Sequence, residues 1–243
     1  MPRDPNEQNT FWKSDAAQLL DQALGVYPDE RYDAIIVDEA QDFEMDWWLS
    51  VDELLRNKDS TFYVFYDPNQ QIYGGGLAEN LSLQTTTLKY NCRNTGRIAK
   101  FSCDLVDLEP VLKPGTPPGT AVRQPPPCNE QSDMVNAVRR CVHDLVTENQ
   151  VATQDIVILT TGKLDSSPVY QAKKLGNISL VELEQKPGPN EIRMASLHRF
   201  KGLESPAIIV CDVRPGDQES KPKHLYVATS RACHYLAVFT YAS

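Results

Sequence analysis

Residues 32–42 read YDAIIVDEAQD. A short apolar run, Tyr32 to Val37, stops abruptly at Asp38 and Glu39. A continuous apolar run of this length, bounded by polar residues, is how a buried parallel strand reads. The acids then stand at the strand's carboxyl end, the edge of an open α/β sheet where ligands bind. Two adjacent carboxylates coexist cheaply only with a cation or a shared proton between them. A bare acid pair at a strand end is ordinarily a solvated pair. The same pair beside a phosphate would instead hold Mg²⁺ and polarise water.

The neighbouring stretches repeat the theme. Residues 11–24 carry apolar side chains at helical spacing (Trp12, Ala16, Leu19, Leu20, Ala23), with Gly25 placed as a C-cap. A helix is expected from about Glu44 to Arg56, and Phe62 to Tyr66 reads as a second buried strand ending at Asp67. Beyond Gly74-Gly75-Gly76, the best domain boundary, residues 85–89 read as a strand and 94–107 as a helix. Seven prolines in 110–127 mark loop or extended chain. Residues 131–147 give the cleanest amphipathic stripe, with Met134, Val135, Val138, Cys141, Val142, Leu145 and Val146 on one face. Strands are expected at 156–159, 192–197, 207–211 and 235–241, and helices at 168–175 and 222–232. Strands alternating with helices argue a parallel, doubly wound α/β fold.

Composition narrows the function classes. With 243 residues, 41% apolar and 23% charged, the chain can build one large domain or two modest ones. A net charge of -9 excludes a globally basic nucleic-acid binder, so any nucleic-acid contact must be a local groove. The six cysteines form no CxxC pair, which favours reduced thiols in a cytoplasmic protein over disulfides or zinc. The first residues, MPRDPNEQNT, carry no signal peptide, and no apolar run approaches the roughly 20 residues of a membrane span.

Five segments, in order, resemble the motifs of UvrD/Rep-like superfamily 1 DNA helicases. IIVDEAQD (35–42) is similar to motif II; YDPNQQIY (66–73) to motif III, usually GDxxQSIY. LKYNCRN (88–94) resembles motif IV, usually LxxNYRS; SLHRFKGLE (196–204) resembles motif V; LYVATSRA (225–232) resembles motif VI, usually YVALTRA. The resemblance implies RecA-like parallel sheets: a partial first lobe (1A) over 1–84 and a complete second lobe (2A) over 85–243. It implies ATP and Mg²⁺ as cofactors, and single-stranded DNA or a DNA fork as partner. Asp38 would hold Mg²⁺, Glu39 would activate water, and Gln70 would sense the γ-phosphate. Arg93 and Arg231 would be arginine fingers, which suits a reaction dominated by charge placed on the transferred phosphoryl group. Glu204 and Gly202 would approach the nucleotide. His198 and Tyr73 would lie near the DNA, Tyr73 stacking on a base. Without the motifs, Arg93 reads as a surface ion pair, Arg231 as a helix C-terminal charge, His198 as a structural histidine and Tyr73 as ordinary packing.

Departures from the pattern matter as much. No GxxxxGK[ST] occurs, and only 37 residues precede Asp38. The backbone cradle and lysine that hold phosphates are therefore expected on an N-terminal P-loop segment of a longer parent chain, and this stretch alone is expected to be inactive. Cys92 stands where motif IV has an adenine-packing tyrosine, Gly74-Gly75-Gly76 where an aromatic-Arg-Gly element is common, and Tyr66 where a glycine is usual. The motif IV and V segments lie about a hundred residues apart, which leaves no room for a large 2B insertion. That spacing is closer to the shorter helicases of the group, including those with a nuclease-related N-terminal domain. The alternative reading is a non-catalytic DNA- or protein-binding module derived from a helicase; retention of Glu39, Arg93 and Arg231 argues against it. An unrelated flavodoxin-like domain would leave the five ordered motifs unexplained.

Overall fold

The computed structural model describes residues 11, 15–70, 83–217 and 221–242. The chain divides into two compact units, Met1–Thr86 and Thr87–Ser243. Tyr73 and the glycines at 74–76 lie outside the described residues.

In the first unit, helix α1 spans Ala16–Val26, strand β1 Ala34–Val37, helix α2 Met45–Glu53 and strand β2 Thr61–Val64. β1 and β2 pair in parallel, Ala34 opposite Thr61 through Val37 opposite Val64. α2 is the crossover between them. It buries Trp48 on a cluster with Val37 and Ala40, against which Ile35, Phe43, Val51, Phe62 and Val64 pack. The Phe43 and Trp48 rings lie 4.9 Å apart, and Trp48 meets Phe62 edge-on at 6.4 Å. α1 joins α2 through Ser50 Oγ, which donates to the Ala17 carbonyl at 3.4 Å. Gly25 sits inside α1 rather than capping it; the helix runs on to Tyr27, which closes it with a bond to the Ala23 carbonyl.

The second unit holds helices α3 (Gly96–Asp104), α4 (Gln131–His143), α5 (Pro168–Gln171) and α6 (Pro222–Thr229). Its strands are β3 (Ile156–Thr160), β4 (Lys174–Leu175), β5 (Ile178–Glu182), β6 (Glu191–Ser196), β7 (Ser205–Val213) and β8 (Ala232–Thr240). They form one six-stranded sheet in the order β4-β5-β6-β3-β7-β8, parallel except for the β4–β5 pair. β3 lies inside the sheet and all five of its residues are buried, as a parallel strand covered on both faces requires. One face packs Ile156, Ile158, Ile209 and Phe239 against Met134, Val138 and Cys141 of α4. The other carries α3 and α6, which contact each other and the β7–β8 edge.

α4 begins with the reciprocal bonds of a capping box between Glu130 and Asp133. Its α-helical part ends at His143, and Asp144–Glu148 continue as a π-helical turn. The proline-rich stretch is extended chain, and it has a structural task. Arg123 N donates to the Leu236 carbonyl and Val238 N to the Arg123 carbonyl, both at 2.9 Å. Cys128 bonds Thr240 in the same way, so backbone that prolines bar from central strands occupies bonding positions on β8.

Three further expectations fail. Residues 85–89 form no strand; Leu88 is 81% exposed, and threonine-rich sequence without a neighbour to pair with has nothing to hold it extended in a ladder. The helix expected over 168–175 stops at Gln171, and strands β4 and β5 follow it. The helix over 222–232 ends at Thr229, because Ala232 already belongs to β8.

Candidate functional site

In the first unit, Glu39 takes a left-handed backbone conformation (φ 53°, ψ 37°) at the end of β1. That conformation is uncommon outside glycine and is held by its surroundings. Glu39 N bonds Asp38 Oδ1 at 2.9 Å, and Ala40 N bonds the Phe65 carbonyl at 3.0 Å. The turn therefore pins the end of β1 to the end of β2. A relay of side chains and one backbone N–H runs across the same edge. Gln41 Nε2 donates to Glu39 Oε2 at 2.6 Å, Asp67 N donates to Gln41 Oε1 at 3.0 Å, and Gln70 Nε2 donates to Asp67 Oδ2 at 2.7 Å. Glu39 and Gln70, expected from separate motifs, are thus joined through Gln41 and Asp67. Gln41 is 1% exposed, which fits an amide satisfied at both ends.

Asp38 is exposed beside Glu39. An open groove of about 380 Å³ runs along β1, with Tyr32, Ile36, Phe43 and Leu54 among its walls, and reaches Asp38. No cluster of three or more His, Cys, Asp or Glu with metal-ligand placement exists among the described residues. A cation at Asp38 would take one or two protein oxygens and fill its remaining positions from water and phosphate. That is the habit of Mg²⁺ rather than of a caged metal, so the donor set fits it.

In the second unit three distant segments meet. Arg93 Nε pairs with Glu204 Oε2 at 2.6 Å, and the two side chains are 37% and 56% exposed. Asn91 Oδ1 accepts the backbone N–H groups of Arg93 and Asn94, both at 3.0 Å. Its Nδ2 donates to Asn94 Oδ1 at 2.8 Å. Asn94 in turn donates from Nδ2 to the Ser230 carbonyl at 2.9 Å and the Ala232 carbonyl at 2.6 Å. Those two carbonyls flank Arg231, so one buried amide ties the Arg93 loop to the backbone on both sides of the second arginine.

Arg231 itself is 2% exposed, and its Nε donates to the Val227 carbonyl at 3.3 Å in the last turn of α6. That contact is the one a cation makes at a helix C-terminus. Gly202 has φ 81°, a conformation that favours glycine, in the turn leading to Glu204. Cys233 stands near both Glu204 and Arg93; burial, and then the Glu204 charge, push its thiol pKa up.

His198 lies on the turn after β6, half-buried, and meets His224 of α6 edge-to-face with ring centroids 5.5 Å apart. His224, Asn94, Gln41 and Cys233 were not singled out from sequence. Gln41 and Asn94 lie inside the motif-like stretches, but their burial and partners come from the fold. His224 and Cys233 become visible only when the chain folds.

No family model matches the chain, and no curated protein matches it. Among solved structures it is similar to the C-terminal domain of a possible DNA helicase from Lactobacillus plantarum WCFS1. The identity is 22% over 62% of this chain and 88% of that one, with a TM-score of 0.45.

Proposed function

We propose that the chain is the ATP-coupling part of a DNA helicase or translocase similar to the UvrD/Rep group. In this reading it acts on single-stranded DNA or a fork, with the P-loop carried by a segment outside these 243 residues. The observation that supports it best is the junction of Arg93, Glu204 and the backbone around Arg231. Residues 111 and 136 positions apart in sequence are brought together there through side chains, in the order the motif resemblance expects. The relay from Glu39 to Gln70 adds a second supporting arrangement at the carboxyl edge of β1 and β2.

The roles follow from the chemistry. Asp38 offers hard oxygens to Mg²⁺, which when bound screens phosphate charge. Glu39, oriented by Gln41, accepts a proton from water. Arg93, and Arg231 once its buried guanidinium is turned toward the nucleotide, place positive charge on the transferred phosphoryl group, and Gln70 reports its presence to the strand edge. In this reading Asp38, Glu39 and Gln70 would serve the γ-phosphate end of ATP, and the P-loop segment would cradle the rest of the triphosphate.

The test is DNA-stimulated ATP hydrolysis by the 243-residue chain and by a form extended with its P-loop segment. The chain alone should show no turnover above the Glu39→Gln blank. The extended form should turn over, lose turnover in Glu39→Gln while still binding ATP, and fall about 10³-fold in Arg93→Ala. Full turnover by the extended Glu39→Gln protein would remove Glu39 from its role. Hydrolysis by the chain alone, lost in Glu39→Gln, would mean that no P-loop is needed.

A further inference from the structure

Two proline clusters lie between α3 and α4, and they serve differently. In the first, Gly115 has φ 87°, which breaks any polyproline run. Its Pro117 and Pro118 carbonyls accept Gly96 N and Arg97 N at the start of α3, both at 2.9 Å. The second cluster is Gln124-Pro125-Pro126-Pro127. Each proline fixes its own φ at about −65° and pushes the residue before it to an extended conformation, so covalent structure alone holds these four residues in a polyproline II turn. Both ends are pinned. Arg123 exchanges backbone bonds with Leu236 and Val238 of β8, and Cys128 with Thr240 and Ala242. Arg123 stands opposite Ala237 and Cys128 opposite Tyr241, so the strap carries one residue more than the strand it faces, as a bulge does. Gln124, Pro126 and Pro127 are exposed. Among the described residues, none donates a hydrogen bond to a carbonyl of residues 124–127.

We infer that residues 124–127 are a docking site for a partner domain that seats polyproline in an aromatic-lined groove, as a WW domain does. Such a groove takes a preformed polyproline II ridge by its rings and its free carbonyl acceptors. Both are presented here. The entropy a linear proline motif loses on binding is already lost in this chain, because the two anchors on β8 hold the turn in place. A flanking cation is not on offer: Arg123 pairs with Asp144 Oδ2 at 2.7 Å. The fitting groove is therefore one that needs no ion pair. Guarding β8 against a further strand would account for one proline, since a single missing N–H interrupts an edge ladder. It does not account for three in succession, the last two exposed, on a stretch that the bonds to β8 already skip. The contact has no part in nucleotide chemistry and stands whether or not the chain serves a translocase.

The test titrates the isotope-labelled 243-residue chain with a panel of WW domains and follows its backbone amides by NMR. At least one domain should bind, shifting the amides of Gln124 and Cys128 while those of β3 stay in place. The amide shifts locate the contact on the unaltered chain, so the result does not depend on any variant folding. The double variant Pro126→Ala, Pro127→Ala should weaken that binding by about tenfold or more, since each lost ring removes contact area and restores backbone freedom. Pro114→Ala, in the other cluster, should leave it unchanged. Binding by no member of the panel would overturn the inference. So would binding undiminished in the double variant, or binding lost in Pro114→Ala instead. A parent chain that binds nothing, with a double variant that self-associates, would show that the three prolines only guard the edge of β8.

Discussion

Asn94 shows how much can rest on one side chain. Its amide hydrogens are spent on the Ser230 and Ala232 carbonyls, its oxygen accepts from Asn91, and it is 4% exposed. Asn94→Ala would leave two buried carbonyls and the Asn91 amide without that partner. Each such orphan costs about 1–3 kcal/mol, so the urea midpoint should drop clearly even though little apolar area is lost. Asn94→Asp should be worse, because a carboxylate would face two carbonyl oxygens. A midpoint unchanged in Asn94→Ala would mean the clamp carries no strain-bearing contact. The histidine pair makes a second residue-scale prediction, about stability. Burial first, and then neighbouring positive charge, hold each folded pKa below the unfolded value of about 6.5, so the unfolded chain binds the protons more tightly. Stability is therefore fully present above about pH 6.5 and is lost as pH falls toward the folded midpoints. Urea midpoints measured from pH 8 to pH 5 should decline, and the decline should shrink in the His198→Gln, His224→Gln double variant.

Among the elements, β3 is the one whose core role is plainest. Ile158 is fully buried in the cluster formed with α4. Ile158→Ala should cost about 2–5 kcal/mol in urea unfolding, most of it as cavity that the close-packed sheet cannot collapse. A loss below about 1 kcal/mol would show that α4 can settle into the space. β3 and α4 are legible in the sequence for different reasons: α4 keeps an apolar stripe at helical spacing, and β3 is the short continuous apolar run of a strand covered on both faces. The β4–β5 pair is not. Lys174–Leu175 is two residues long, and β5, ISLVE, is only partly buried along most of its length, so neither writes a hydrophobic pattern. Residues 85–89 failed in the opposite sense, having β propensity with no strand to answer it. The site divides similarly. Asp38, Glu39, Gln70, Arg93 and Glu204 could be named from local motifs, whereas the Asn94 clamp and the His224 contact are long-range facts that no window of sequence contains.

At the scale of the molecule, the two units differ in how completely they bury what they fold. The second unit covers its six-stranded sheet on both faces and leaves β3 without an exposed residue. Among the described residues the first has two parallel strands, and on the face away from α2, Ile36 is 67%, Tyr63 59% and Phe65 46% exposed. Parallel strands are normally buried on both sides, and a two-stranded sheet alone is marginal in water. The acids at its edge, Asp38 and Glu39, therefore sit on the less secure of the two platforms. Hydrogen exchange followed by mass spectrometry should show this directly. Amides of β3 and β7 should exchange only through the rarest openings, while those of β1 and β2 should exchange much sooner, through opening of the first unit by itself. A ligand or segment that covers Ile36 and Tyr63 should slow β1 and β2 selectively and leave β3 unchanged, since binding stabilises only what it orders. Equal protection across both units in the chain alone would mean that they open together, and that the exposed face of β1 and β2 does not weaken the platform beneath Glu39.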